Sequence, residues 1–364
     1  MFREDQEGSI RKALGWLFLA LALIASLVTL VSVVHSNQWW VQILNFPRLL
    51  SLIAIALIAL GCVAFARQWR PVLVVLLVAS AAVQFWRLYP YVPFAPVEVG
   101  KTKALSAVSS RSCFTALGLN VLQHNRDYTA TLQMVDREQP DILLLMETDG
   151  SWVQALAPIL ARYPHKLLRP LDNTYGMVFA SKLPVISAHT ENVTDQDTPT
   201  VYARLTTRDG QPFDYVALHP RPPVPGQDTD LRDRKIERAA LRITGSHLPA
   251  MAMGDFNDVA WSRTTQLFKQ VGGYLDPRIG RGTYPTFPAK YVAVGWPLDQ
   301  MFVTPEFILQ SLRVLENVKS DHRPLLAKLC LSPKLAPRIN ASPAPVGSKA
   351  RDAARSMTET GSAQ

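Results

Sequence analysis

Three long apolar stretches fill the first ninety residues and constrain the fold of this chain more than any other feature. No charged residue occurs from position 13 to position 34, and about 20 apolar residues are enough for a helix to cross a bilayer. Further apolar stretches follow at 49–66 and 71–88. We predict that residues 1–90 form a membrane region with three transmembrane helices. A cleaved signal peptide is disfavoured, because its apolar core is shorter.

Basic residues are distributed unevenly around these stretches. Arg11 and Lys12 precede the first, Arg67 and Arg70 separate the second from the third, and residues 35–47 contain no Lys or Arg. Cytoplasmic loops carry an excess of these residues. The pattern predicts a multi-pass protein of the cell inner (cytoplasmic) membrane, with everything after the third span on the extracytoplasmic side. The spans contain no Asp, Glu or Lys, which argues against a transporter pathway.

Beyond the spans, the sequence divides into a linker, a globular domain and a tail. Residues 91–108 are predicted to be a juxtamembrane linker, 109–332 a domain of alternating strands and helices, and 333–364 a disordered tail rich in Pro, Ala and Ser. Strands are predicted at 114–122, 141–146, 176–181, 202–206, 213–218, 248–253, 300–303 and 324–329, and helices at 129–139, 152–163 and 232–244. This alternation favours a layered α/β or α+β fold.

Charge and cysteine content exclude few classes of partner. The net charge of +9 favours anionic partners, which include nucleic acid and phospholipid head groups alike. The three cysteines show no zinc-binding spacing. Cys113 and Cys330 form the only pair available outside the apolar stretches. We expect them to be buried thiols, although an oxidising compartment permits a disulfide.

Polar side chains stand at the ends of the predicted strands. Five follow an apolar run and three precede one. In chain order these eight residues are Asn120, Glu147, His219, Asp255, Asn257, Asp299, Asp321 and His322. Since ligands in layered α/β folds bind at the carboxyl ends of strands, we expect these side chains to meet at one edge.

The residue types indicate metal-assisted hydrolysis of a phosphate ester. Glu147 and Asn120 supply the hard oxygen ligands that Mg²⁺ or Mn²⁺ prefers. His322, paired with either Asp299 or Asp321, can donate a proton to a phosphoryl oxygen. Asp255 is then left to activate the attacking water.

The motifs also resemble those of the endonuclease/exonuclease/phosphatase superfamily. The resemblance covers roughly residues 113–331 and implies a four-layered α/β sandwich of two packed mixed β-sheets flanked by helices. A membrane-bound bacterial branch of the superfamily shares the N-terminal spans. The motifs are Leu119-Asn120-Val121, Leu145-Met146-Glu147, Tyr175-Gly176-Met177, Leu218-His219, Gly254-Asp255-Phe256-Asn257, Leu298-Asp299-Gln300 and Ser320-Asp321-His322.

The resemblance implies a role for each acidic and amide residue. Glu147 would be the principal metal ligand, with Asn120 beside it and Asp321 near the metal. Asp255 would orient the attacking water, and Asn257 would hold the phosphate.

The resemblance likewise implies roles for the histidines. His219 and His322 would contact the scissile phosphate, and Asp299 would orient His322. Tyr175 is matched only loosely, and its roles as an active-site residue and as a core aromatic stay equally open.

These observations predict a membrane-anchored phosphoesterase that hydrolyses a phosphate mono- or diester. A lipid or lipid-linked phosphate is the favoured substrate, because a tethered domain meets lipids at high effective concentration. An extracytoplasmic Mg²⁺-dependent nuclease is the alternative. It is disfavoured because no long basic insertion is present and the basic helix at 232–244 is expected to be a solvated face. A second alternative is a non-catalytic receptor for phosphorylated ligands. No feature predicts an oligomeric state.

Overall fold

The computed structural model describes residues 2–101, 108–192, 198–348, 351–352 and 355. The chain divides into two compact units. The first comprises Met1–Pro90 together with Pro223–Asp228, and the second comprises Tyr91–Pro222 and Thr229–Gln364.

The first unit is a bundle of helices. Its helices are α1 (Phe2–Val31), α2 (Trp39–Ile43), α3 (Arg48–Phe65) and α4 (Arg70–Leu88). α1, α3 and α4 are long and apolar enough to cross a membrane, which confirms the three predicted spans. Their outward faces carry large apolar side chains, as lipid contact requires. At Gly61 a Cβ atom would lie 2.0 Å from the Phe18 ring, so glycine permits the close approach of α1 and α3.

The second unit contains two β-sheets and four α-helices among its described residues. Its strands are β1 (Cys113–Asn120), β2 (Ile142–Met146), β3 (His165–Arg169), β4 (Met177–Ser181), β5 (Val185–Asn192), β6 (Pro199–Thr206), β7 (Pro212–Leu218), β8 (Ala250–Asp255), β9 (Asp299–Val303), β10 (Phe307–Val314) and β11 (Leu325–Leu331). Its helices are α5 (Tyr128–Glu138), α6 (Gly150–Leu160), α7 (Asp230–Thr244) and α8 (Arg263–Val271). The strand orders are β10-β11-β1-β2-β4-β3 and β5-β6-β7-β8-β9.

Residues alternate between two faces along each central strand, and this builds the layers. In β1, Phe114 and Ala116 belong to the core between the two sheets, whereas Leu117 and Leu119 pack beneath α5 and α6. The second sheet has a matching outer cluster under α7 and α8, which contains Phe256. The order helix–sheet–sheet–helix confirms the predicted four-layered sandwich. β1 runs parallel to β2, and β7 runs parallel to β8.

Three strands that the sequence did not predict, β3, β5 and β10, all lie at an edge of a sheet. β3 and β5 are mostly exposed or half-buried along their length. An edge strand in such a position does not need the apolar alternation by which strands are recognised. Helix α8 was also missed.

The segment predicted to be a linker is largely part of the second unit. Tyr91, Ala95 and Val99 are buried, and the Tyr91 hydroxyl donates to the carbonyl oxygen of Ala260 at 3.1 Å. Within the predicted juxtamembrane linker, residues 91–101 are thus anchored by apolar side chains. Residues 102–107 lie outside the described part of the chain.

The first part of the tail is also folded, contrary to the prediction of disorder from residue 333. Ala336 is buried in a short 3-10 helix, Ala336–Arg338. The Asn340 amide donates to the carbonyl oxygens of Pro305 (2.6 Å) and Phe307 (2.8 Å), and its oxygen accepts from the Gly100 N–H (2.6 Å). One polar side chain thus satisfies three backbone groups, which composition alone does not reveal. Residues 349–350, 353–354 and 356–364 lie outside the described residues.

Helix α7 is less solvated than its charge suggested. Arg232 and Lys235 are buried. Arg232 pairs with Asp233 at 2.8 Å, and the Lys235 ammonium donates to the carbonyl oxygen of Pro199 at 3.2 Å. The expectation of a solvated basic face is wrong for Arg232 and Lys235, because both cations are buried and paired.

Cys113 and Cys330 form a disulfide, contrary to the expectation of two thiols. They lie opposite each other on the neighbouring antiparallel strands β1 and β11, with their Cα atoms 3.9 Å apart. Because 217 positions separate them in sequence, only the strand pairing reveals that they are neighbours.

Candidate active site

Four strands deliver polar residues to one edge of the sandwich. The first sheet contributes the end of β1 and the residue after β2, and the second contributes the end of β8 and the residue after β7. These residues are Asn120, Glu147, Asp255 and His219. The backbone N–H of Asp255 lies 3.1 Å from the sulfur of Met146, so the ends of the two sheets meet directly at this edge.

Gly254 allows β8 to approach β7 at this point. Its φ is +150°, a conformation that other residues rarely adopt. A Cβ atom on Gly254 would lie only 2.0 Å from the carbonyl oxygen of Leu218, the residue before His219. The glycine therefore sets the close spacing of Asp255 and His219.

Asn120 joins two carboxylates. Its amide nitrogen donates to Glu147 Oε1 at 2.8 Å and to Asp255 Oδ2 at 3.1 Å. Its oxygen accepts from the Leu122 N–H at 3.1 Å, which is consistent with the amide nitrogen facing the carboxylates. The second oxygen of Glu147 accepts from the Gln123 N–H at 3.2 Å.

The charges around Glu147 favour a bound cation. Burial raises the pKa of its carboxyl group; hydrogen bonds from Asn120 and Gln123 lower it, and the negative charges of Asp255 and Asp321 raise it. The net effect is a raised pKa. Glu147 therefore lies within the electrostatic influence of two further carboxylates, and hard oxygen donors of this kind fit Mg²⁺ or Mn²⁺.

His322 is held by two acids. Its Nδ1 lies 2.7 Å from Asp299 Oδ2, and its Nε2 lies 3.5 Å from Asp255 Oδ2. Burial alone would lower its pKa, but Asp299 and Asp255 outweigh burial and raise the pKa to about 10. Of the two predicted partners, Asp299 is the one that pairs with the imidazole, which is therefore protonated at neutral pH.

Asp255, Asp299 and His322 also lie close enough together to hold a metal ion on geometric grounds. A protonated imidazole has no lone pair for a metal, however, and its Nδ1 already bonds to Asp299. The carboxylate of Glu147 is the better centre for a cation.

His219 has the opposite protonation state. It is buried, with its Nε2 3.7 Å from Asp255 Oδ2, and burial lowers its pKa to about 4 against the opposing charge of Asp255. Its Nδ1 is buried without a hydrogen-bond partner in the described part of the chain. The Tyr175 ring lies 5.1 Å from the imidazole of His219. The Arg221 guanidinium lies 5.2 Å from the centre of the Tyr175 ring.

Asn257 and Asp321 lie at the margin of this group. The Asn257 N–H donates to Asp255 Oδ1 at 2.9 Å, and its side-chain amide donates to the Pro220 carbonyl oxygen at 2.9 Å. Asp321 is exposed and acts on Glu147 through its charge. Direct contacts therefore join the predicted site residues apart from Asp321, with Tyr175 against His219.

Three contacts at the site were not foreseen. The Ser320 hydroxyl donates to the Asn120 carbonyl oxygen at 2.7 Å and accepts from the His322 N–H at 3.1 Å. The Phe287 ring packs 4.9 Å from His322. Ser320 is the first residue of the Ser320-Asp321-His322 motif, and Arg221 lies two residues after His219, so the motifs could have indicated both. Phe287 has no such signal.

Comparison with known proteins identifies the family. The model of the Endonuclease/Exonuclease/phosphatase family matches residues 117–322, more than half of the chain. The chain belongs to this family. It is a hydrolase that acts on phosphate ester bonds, as predicted. No curated protein sequence matches it.

Solved structures show the same fold at low sequence identity. A humanized D. rerio TDP2 carrying 14 mutations is 16% identical over 60% of this chain and 99% of its own, with a TM-score of 0.51. The human Nocturnin catalytic domain with bound sulfate is 15% identical over 62% of this chain and 97% of its own, with a TM-score of 0.50. A mannosyl-6-phosphatase of Bacteroides thetaiotaomicron is 18% identical over 60% and 100%, with a TM-score of 0.49.

Proposed function

We propose that this hydrolase is a membrane-anchored, divalent-metal-dependent phosphoesterase that acts on a lipid or lipid-linked phosphate. The observation that carries the proposal is the position of Asp255 Oδ2, 3.7 Å from His219 Nε2 and 3.5 Å from His322 Nε2, with Asn120 linking Asp255 to the carboxylate of Glu147. Groups whose surroundings push their pKa values apart are typical of acid–base catalysis.

Glu147 would hold the cation, with Asn120 beside it and Asp321 near it. When bound, the cation supplies Lewis-acid polarisation of a phosphoryl oxygen and neutralises developing charge. Asn120 also keeps Glu147 and Asp255 at fixed positions through its two hydrogen bonds. The site is thereby preorganised before substrate arrives.

Asp255 would orient the attacking water and accept its proton. The Asn257 N–H holds one oxygen of Asp255, which leaves the other facing the two histidines. The Asn257 side-chain amide is proposed to reach a phosphoryl oxygen when substrate replaces its bond to Pro220.

His322 would donate a charged hydrogen bond to the phosphoryl group, with Asp299 keeping it protonated and oriented. Neutral His219 would donate to a second phosphoryl oxygen, since its buried Nδ1 has no partner in the described residues. Tyr175 would help to fix the His219 ring through their contact.

The preference for a lipid rests on the membrane unit. Three helices of this unit are long and apolar enough to cross a membrane. The disulfide supports placement on the extracytoplasmic side, because such bonds persist in oxidising compartments. A tethered enzyme also meets lipid substrates at high effective concentration.

A substrate panel tests the proposal. The purified full chain would be offered polyprenyl phosphates, sphingomyelin, phosphoinositides and plasmid DNA, each with Mg²⁺ and with EDTA. We expect metal-dependent release of phosphate or head group from a lipid. Rapid DNA cleavage with no lipid turnover would favour the nuclease, binding without turnover would favour a receptor, and turnover that survives EDTA would contradict the metal assignment.

A further inference from the structure

A buried arginine joins the three long helices of the membrane unit. Arg48, the first residue of α3, is only 1% exposed. Its Nη1 donates to Gln84 Oε1 on α4 at 2.7 Å, and its Nη2 donates to Asn45 Oδ1 at 2.5 Å. Gln84 in turn donates to the Thr29 hydroxyl on α1 at 3.2 Å. These four residues form what we call the Arg48 cluster.

The positive charge of this cluster is not neutralised in the described part of the chain. Both acceptors of Arg48 are neutral amides, and its Nε is buried without a hydrogen-bond partner. The nearby charge that acts on Arg48 is Arg87, which is also positive. A guanidinium does not lose its proton in proteins, and a buried charge without a counter-charge is costly. A bound anion would offset this cost.

We propose that the Arg48 cluster binds the phosphate group of an anionic lipid. A guanidinium presents a planar set of donors that matches phosphate oxygens, and Nε is one donor still available. The partial positive charge at the beginning of α3 acts in the same direction. Because helices of this kind lie in lipid, head groups are the anions at hand.

The alternative is that Arg48 only ties the helices together through neutral hydrogen bonds. The two roles differ in their response to an internal counter-charge. Gln84→Glu would place a carboxylate within 2.7 Å of the guanidinium with almost no change in shape. If Arg48 only ties the helices together, its hydrogen bond to residue 84 would be kept or strengthened. If Arg48 binds an anion, the new carboxylate would occupy the guanidinium in place of the lipid phosphate.

The test uses the purified full chain and measures lipid retained after delipidation, by native mass spectrometry. The chain is incubated with phosphatidylglycerol, with phosphatidylcholine, or with phosphatidylglycerol plus inorganic phosphate. The variants are Arg48→Gln, Gln84→Glu and, as a matched control, Arg67→Gln, which removes one positive charge at an exposed position.

We expect preferential retention of phosphatidylglycerol by the unaltered chain and by Arg67→Gln, and a loss of about tenfold or more in Arg48→Gln and Gln84→Glu. Competition by inorganic phosphate would assign the site to free phosphate as well as lipid. Equal retention of the two lipids by the unaltered chain, or undiminished retention by Gln84→Glu, would overturn the proposal. Gln84→Glu keeps the test decisive if Arg48→Gln does not fold. None of these results depends on hydrolytic activity.

Discussion

Replacing Gly254 with alanine should damage both stability and activity. The added Cβ would lie 2.0 Å from the Leu218 carbonyl oxygen, whereas real Cβ atoms essentially never come closer than 3.0 Å to such an atom. The two strands β7 and β8 must therefore separate by about 1 Å at this point. In addition, a φ of +150° is strained for any residue with a side chain.

These two effects set the expected magnitude. The strained backbone costs about 1–3 kcal/mol, and forcing packed groups apart costs about 1–3 kcal/mol, so we expect the free energy of unfolding to fall by about 2–6 kcal/mol. The shift also separates Asp255 from His219, each next to one of the clashing residues. A misplacement of about 1 Å lowers a catalytic rate by about 10²-fold.

Two matched glycine variants separate these contributions. Gly210→Ala adds a methyl group at a φ of +85° with no atom within 4 Å, and Gly150→Ala adds one in open space without a left-handed φ. Thermal unfolding and phosphate-ester hydrolysis would be measured on the full chain in detergent. We expect Gly254→Ala to be much worse than Gly210→Ala, with Gly150→Ala nearly unchanged. Equal behaviour of Gly254→Ala and Gly150→Ala would refute the reasoning.

Three further predictions concern the second unit. Cys330→Ser should lower the free energy of unfolding by about 2–5 kcal/mol, because it opens a loop closed over 217 positions; denaturation with and without reductant checks this, and Cys62→Ser, at the free cysteine, is the comparison. Asn340→Ala should cost about 1–3 kcal/mol by leaving three backbone groups without their partner; unchanged stability would mean that the start of the tail is not held. Phe256→Ala should cost about 3–5 kcal/mol, because the ring is fully buried against Phe268 and Phe302; chemical denaturation measures it.

The layered fold was predictable because its central strands obey simple patterns. Runs such as Leu143-Leu144-Leu145-Met146 are buried on both faces, and they are bounded by residues that end strands. The edge strands β3 and β5 lack this signal, because most of their residues are exposed or half-buried. β10 begins with the buried run Phe307-Ile308-Leu309 and was missed in spite of it. Segments anchored by single contacts, such as Asn340, are likewise invisible in composition.

The sequence indicated which residues belong to the candidate site, but it did not indicate their distances or protonation states. Asn120, Glu147, Asp255 and the two histidines were recognised as polar groups at strand ends. The parallel pairs β1–β2 and β7–β8 explain why the first three and His219 meet. His322 reaches the same edge because β11, antiparallel to β1, begins where β1 ends. The opposite protonation of His219 and His322 depends on tertiary neighbours. His322 has two acids beside it, whereas His219 is buried with only one acid nearby.

The most direct test of the central claim is the activity of Asp255→Asn. The purified full chain should hydrolyse a phosphate ester in the presence of Mg²⁺ or Mn²⁺ and lose this activity with EDTA. Asp255→Asn should be slower by about 10²–10⁴-fold, whereas Asp209→Asn, at an exposed position, should match the unaltered chain. Full activity in Asp255→Asn, with the same fold, would contradict the account.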